Sequence, residues 1–137
     1  MKPRKIGMVE RAVIAHKWRL GTVTANIHAM IGDDSDKMVN EAGRVLYVIL
    51  GAAMAQKLSA DTPEIRIIRG AVGALYDQVG LNAIPANRRA SIVCGLEVAS
   101  DLIKLLPGKA LTDSACDLEI KLRGDHVMMS DFEEMVT

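Results

Sequence analysis

The chain has 137 residues, half of them apolar and a quarter charged, and its 17 basic and 17 acidic side chains give a formal net charge of zero. Such a composition is too hydrophobic for a disordered chain and too interrupted by charge for a membrane protein, and it offers no global field to draw the molecule to phosphate backbones or anionic lipid. One domain of this size buries about two thirds of the surface its unfolded form exposes, and weak self-repulsion makes association with itself or another protein the easier outcome.

The start Met1-Lys2-Pro3-Arg4-Lys5 is basic, but Glu10, Arg11, His16, Lys17 and Arg19 follow, so no signal-peptide hydrophobic region forms. The two cysteines, Cys94 and Cys116, stand at no short spacing and make no disulfide scaffold, which points to buried thiols in the reducing cytoplasm. The longest uncharged apolar run, 45–55, is about half of the ~20 residues a membrane span requires and reads as a buried helix.

In chain order, Ile6, Val9, Val13, His16, Leu20, Val23, Ile27 and Met30 recur at spacings of three and four, which predicts a first helix over 6–31 with these residues on its inward stripe. Gly21 and the β-branched run 22–24 weaken its middle, leaving a kink or a split open. Asp33, Asp34, Ser35 and Asp36 suit the start of a second helix over 36–58, apolar nearly all round and therefore central. Asp61-Thr62-Pro63-Glu64 opens a third over 63–79, closed by Gly80 and Asn82. Pro85 opens a fourth over 86–106, whose stripe includes Arg89 and Ile92 and which Pro107-Gly108 ends. Four amphipathic helices with short connections predict a single-domain, antiparallel up-down-up-down bundle.

The tail 109–137 changes period. Cys116, Leu118, Ile120 and Leu122 alternate with charged residues, as in a half-buried strand, and Gly124-Asp125 can turn it into a hairpin over 116–129. Leu111, Ala115, Leu118 and Leu122 fit a helical face as well, so hairpin and short helix both stand, the hairpin slightly preferred. Ser130-Asp131-Phe132-Glu133 resembles a capping box for a terminal helix over 131–136.

No catalytic, metal or cofactor signature emerges. His16, His28 and His126 fall in no converging spacing, the acids at 33–36 with Glu41 lack the glycine turn of a calcium loop, and phosphate-cradling loops and a nucleophile elbow are absent as motifs. Cys94, inside an apolar run, reads as a packed thiol. Arg88 and Arg89, with Lys2, Arg4 and Lys5, are the candidates for a DNA-binding alternative, and a small enzyme with a bundle-core site is a further one.

Helix-interior glycines cost about 1 kcal/mol each relative to alanine and so ask for a packing role. Gly51 with Ala55, Gly70 with Ala74, and Gly95 with Ala99 form small-residue patches for helix packing or a dimer contact, and Gly73 joins Gly70 off the main seam of its helix. Arg66, Arg69 and Tyr76 are of the residue types that dominate partner recognition. These readings converge on a non-enzymatic protein-interaction factor, an adaptor, inhibitor or regulator that forms a homodimer and binds a protein partner.

Overall fold

The structure, a computed structural model, describes residues 7–59 and 61–124 and holds five helices there: α1 Met8–Ile31, α2 Ser35–Ala55, α3 Pro63–Gln78, α4 Ala86–Ile103 and α5 Gly108–Gly124. The first four occupy the four predicted segments, and the largest trims fall at the C-terminal ends of α2 and α4. α2 stops at Ala55 because Lys57 takes a left-handed conformation (φ 59°), which returns the Leu58 N–H to the Ala53 carbonyl at 3.1 Å and the Lys57 N–H to Met54 at 2.9 Å. α4 stops at Ile103, where the N–H groups of Leu105 and Leu106 both fold back on the Leu102 carbonyl ahead of Pro107.

α1 runs unbroken through Gly21. The hydroxyls of Thr22 and Thr24 donate back to the carbonyls of Arg19 and Leu20, so the residues that weaken the helix by propensity are satisfied within it. Asp34 caps α2, its Oδ1 accepting from the Lys37 N–H at 3.0 Å, and this moves the helix start one residue ahead of the predicted Asp36.

The predicted hairpin is corrected: residues 116–124 belong to α5, and no strand occurs among the described residues. The apparent alternation gives way to the steps Leu111, Ala115 and Leu118, all buried, and Asp117 with Lys121 forms an i,i+4 pair on the flank that meets Tyr47 of α2. A lone two-stranded hairpin is marginal in water, whereas a helix here closes the core. The remainder of that hairpin with His126, the terminal helix over 131–136, and the residues Lys2, Arg4, Lys5 and Ile6 lie outside the described residues.

Instead of four helices in a ring, α2 lies in the middle and contacts the other four. Its residues Tyr47, Val48, Ile49 and Leu50 are at most 1% exposed. It is the one described helix long and apolar enough to cross a membrane, and 61% of its most apolar stretch is buried among its neighbours. The larger core cluster joins α2 to Ala25 and Ala29 of α1 and to the inner faces of α3 and α4. A smaller one joins Tyr47 and Val48 to Ile14 of α1 and to Ala115, Cys116 and Leu118 of α5, with Trp18 packed against both.

α3 and α4 run antiparallel, since Gln78 meets Arg88 near their connection while Ala71 meets Gly95 two turns further along. Their approach is close enough that a Cβ on Gly95 would lie 2.2 Å from the Ala71 Cβ, so Gly95 is there for space.

Candidate protein-interaction surface

α1 docks through the face opposite to the expected one. Ile14, Ala25 and Ala29 are buried and Trp18 is half-buried against the core, while Val9, Val13, Leu20, Val23, Ile27 and Met30 all point to solvent, from 48% exposed at Val13 to 81% at Val9. His16, expected on an inward stripe, is exposed among them.

The reason lies in what the inner face offers. Two alanines let α1 come close to its neighbours, and polar contacts lock its rotation. His28 pairs with Glu41 of α2, and the Arg89 guanidinium donates to the carbonyls of Ala29 and Gly32 at 2.8 Å each, closing the C-terminal end of α1. Rolling α1 to bury the stripe would break these contacts and strip Ile14 and Trp18 of their packing.

The outer stripe is an apolar band, interrupted by His16, along a helix about 36 Å long. Its six apolar side chains are each about half exposed or more, so covering them would return on the order of 1 kcal/mol apiece, against a few tenths for an exposed ion pair. Lys17 and Arg19 border it with polar Thr24 and Asn26. Beside it a cleft of about 510 Å³ opens between α1, α2 and α5, with Val13 and Lys17 shared between cleft and stripe. Ile14, Trp18, Val45 and Val48 form its apolar side, and Glu41, Arg44 and Glu119 bring both signs of charge. The Trp18 indole N–H is buried and meets no acceptor among the described residues.

The other residues singled out in the sequence are dispersed. On α3, Arg66, Gly70, Gly73 and Tyr76 are exposed and Arg69 is half-buried; no atom approaches within 4 Å of where a Cβ would sit on Gly70 or Gly73, while Ala74 packs against the core. Arg66 faces Asp61 at 3.7 Å across solvent. Ala99 is fully buried next to Gly95 on α4, and Gly51 and Ala55 line a shallow hollow between α2 and α5.

Arg88 and Arg89 are both half-buried and directed into the protein. Arg88 donates to the Gln78 side-chain oxygen at 2.9 Å, and Gln78, itself fully buried, donates to the Ser35 hydroxyl and the Ala83 carbonyl. This polar knot ties α2, α3 and α4 at one end of the molecule, and no sequence signal marks Gln78 as its centre. A second unanticipated group is Tyr47, whose hydroxyl donates to Asp117 at 3.2 Å and accepts from Lys121 at 2.5 Å, with the Lys121 ammonium over its ring. Burial is the main reason its phenol is pushed above the ordinary value.

Cys94 is exposed on the outer side of α4, because the adjacent Gly95 takes the position facing α3; this corrects the packed thiol expected there. Cys116 is buried, and burial raises its thiol above the usual range, which favours the protonated form. Among the described residues no three His, Cys, Asp or Glu side chains gather where one metal ion would meet them. No protein-family model matches the chain, and no curated protein or solved structure is significantly similar to it.

Proposed function

We propose that this chain is a non-enzymatic protein-interaction factor, a small helical adaptor, inhibitor or regulator of the cytoplasm, and that the outer face of α1 is its contact surface. The observation that carries this reading is the exposed stripe Val9 to Met30, six apolar side chains with His16 among them, turned outward on a helix whose other face is already packed. Isolated apolar residues are normal on a surface, whereas a contiguous band suits a partner helix or groove read at i, i+3, i+4 and i+7. Arg88 and Arg89 both donate to acceptors within the protein, which leaves the apolar stripe as the stronger surface feature.

The test is capture from the native cell with the unaltered chain and with the double variant Leu20→Glu, Val23→Glu. Both positions face solvent, so the variant keeps its fold by circular dichroism. Loss of the captured proteins from the variant supports the reading; an unchanged set with both baits rejects it.

A further inference from the structure

We infer that the cleft between α1, α2 and α5 is a binding site for a single-chain amphipathic anion, its acyl chain along the apolar wall and its head group met by Lys17 and Arg44; the inference does not depend on what covers the α1 stripe. The cleft holds about 510 Å³, within the ~300–1,000 Å³ of small-molecule pockets. Ile14, Val45, Val48 and Leu118 make its wall mainly aliphatic, and Trp18 adds the one aromatic surface. Gly21 keeps the space open. It lines the cleft from the middle of α1, where glycine weakens a helix relative to alanine, and no atom lies within 4 Å of where its Cβ would sit. Gly95 is a glycine for the opposite reason, since the Ala71 Cβ stands 2.2 Å from the place of its own. No close approach asks for glycine at position 21, and what its bareness provides is room beside Trp18, three residues earlier on the same face.

The charges around the cleft select the class of ligand. Glu41 is committed to His28, and Glu10 has a partner of its own. Lys17 and Arg44 are both exposed, and neither forms an ion pair among the described residues. Against these two cations stands one unpaired carboxylate, Glu119, so the uncommitted charge of the lining is positive. Apart from the Trp18 indole, Thr24 is the one uncharged polar side chain there, too little to orient a sugar or a nucleobase, which require several aimed donors and acceptors. An aliphatic chain with a single anionic end matches both halves of the site. Its methylenes leave water against the valines, isoleucine and leucine, and its head group accepts charge-assisted hydrogen bonds from the Lys17 ammonium and the Arg44 guanidinium.

The probe is sodium dodecanoate, titrated below its micelle concentration into the full chain. Trp18, the one tryptophan of the sequence, reports from the cleft wall by its emission. The expected result is a saturable emission change with one site per chain and an unchanged circular dichroism spectrum. Each buried methylene contributes about fourfold, so decanoate binds on the order of tenfold more weakly. The double variant Lys17→Gln, Arg44→Gln weakens dodecanoate about tenfold and erases its advantage over dodecylammonium. Gly21→Leu, whose side chain enters open space, keeps the fold and weakens dodecanoate by about tenfold or more by filling the site. No saturable change up to about 1 mM dodecanoate overturns the inference. Equal binding of dodecylammonium by the unaltered chain overturns it as well, as does binding that Gly21→Leu leaves unchanged. Association with anionic phosphatidylglycerol vesicles without binding of free dodecanoate also overturns it, and assigns Lys17 and Arg44 to a membrane surface instead.

Discussion

The Gln78 side-chain amide donates to the Ser35 hydroxyl at 2.8 Å across 43 residues of sequence, with both groups buried. The same amide reaches the Ala83 carbonyl at 2.9 Å, and its oxygen accepts from Arg88. One residue thus satisfies the start of α2, the α3–α4 connection and the first turn of α4. Buried polar groups deprived of partners carry their full desolvation penalty, so Gln78→Leu should lower stability by on the order of 2–4 kcal/mol. Urea unfolding at a fixed protein concentration measures it; a loss below about 0.5 kcal/mol, the range of ordinary surface changes, would show that the knot adds nothing.

Two glycines on neighbouring helices make opposite predictions. Gly95→Ala places a Cβ 2.2 Å from the Ala71 Cβ, and α3 and α4 must separate, at a cost of about 1–3 kcal/mol. Gly70→Ala meets nothing within 4 Å and gains up to about 1 kcal/mol from helix propensity. Adding Ala71→Gly to Gly95→Ala should recover part of the loss. Thermal unfolding of the four proteins decides the matter, and equal effects at positions 70 and 95 would contradict the close approach.

Tyr47 gives a pH dependence of definite sign. Its phenol is raised in the folded state above the usual value of 10.0, chiefly by burial, so the folded protein holds this proton more tightly than the unfolded chain does. Its contribution is complete below about pH 10 and is lost as the pH rises through the folded-state value. Cys116, raised above 9.0 also by burial first, contributes in the same direction. Tyr47→Phe removes the first of these, so its stability should fall less steeply than that of the unaltered chain above about pH 10. Parallel curves in denaturant titrations across that range would rule the tyrosine out.

The helices were legible in the sequence because each carries its own periodicity and stop signals, as Pro63 and Gly80 show for α3. The direction of α1 was not. Its spacing reveals the stripe from Val9 to Met30, but whether a stripe faces the core or solvent is decided by competition with the other faces of the helix. Here Ile14, Trp18, Ala25 and Ala29 prevail because alanines permit close approach and Arg89, 60 residues away, closes the helix end on that side. α5 was ambiguous because Cys116, Leu118 and Ile120 satisfy a period of two while Leu111, Ala115 and Leu118 satisfy 3.6; burial against α2 selects the second. Gln78 gives no local signal, since its partners are set by tertiary structure alone.

The placement of α2 also bears on how the molecule is made. The flank around Tyr47 and Val48 is finished only by a helix whose Asp117 stands 70 residues downstream of Tyr47. A ribosome adding about 5–20 residues per second leaves that flank covered by α1 alone for roughly 4 to 14 s. Collapse of a chain this size takes on the order of 100 µs or less, so the wait is set by translation and not by the folding of what has already emerged. Until α5 leaves the exit tunnel, the nascent protein carries its greasiest segment half-covered, and whatever shields it from neighbouring chains in that interval is as necessary to its yield as any contact in the finished molecule.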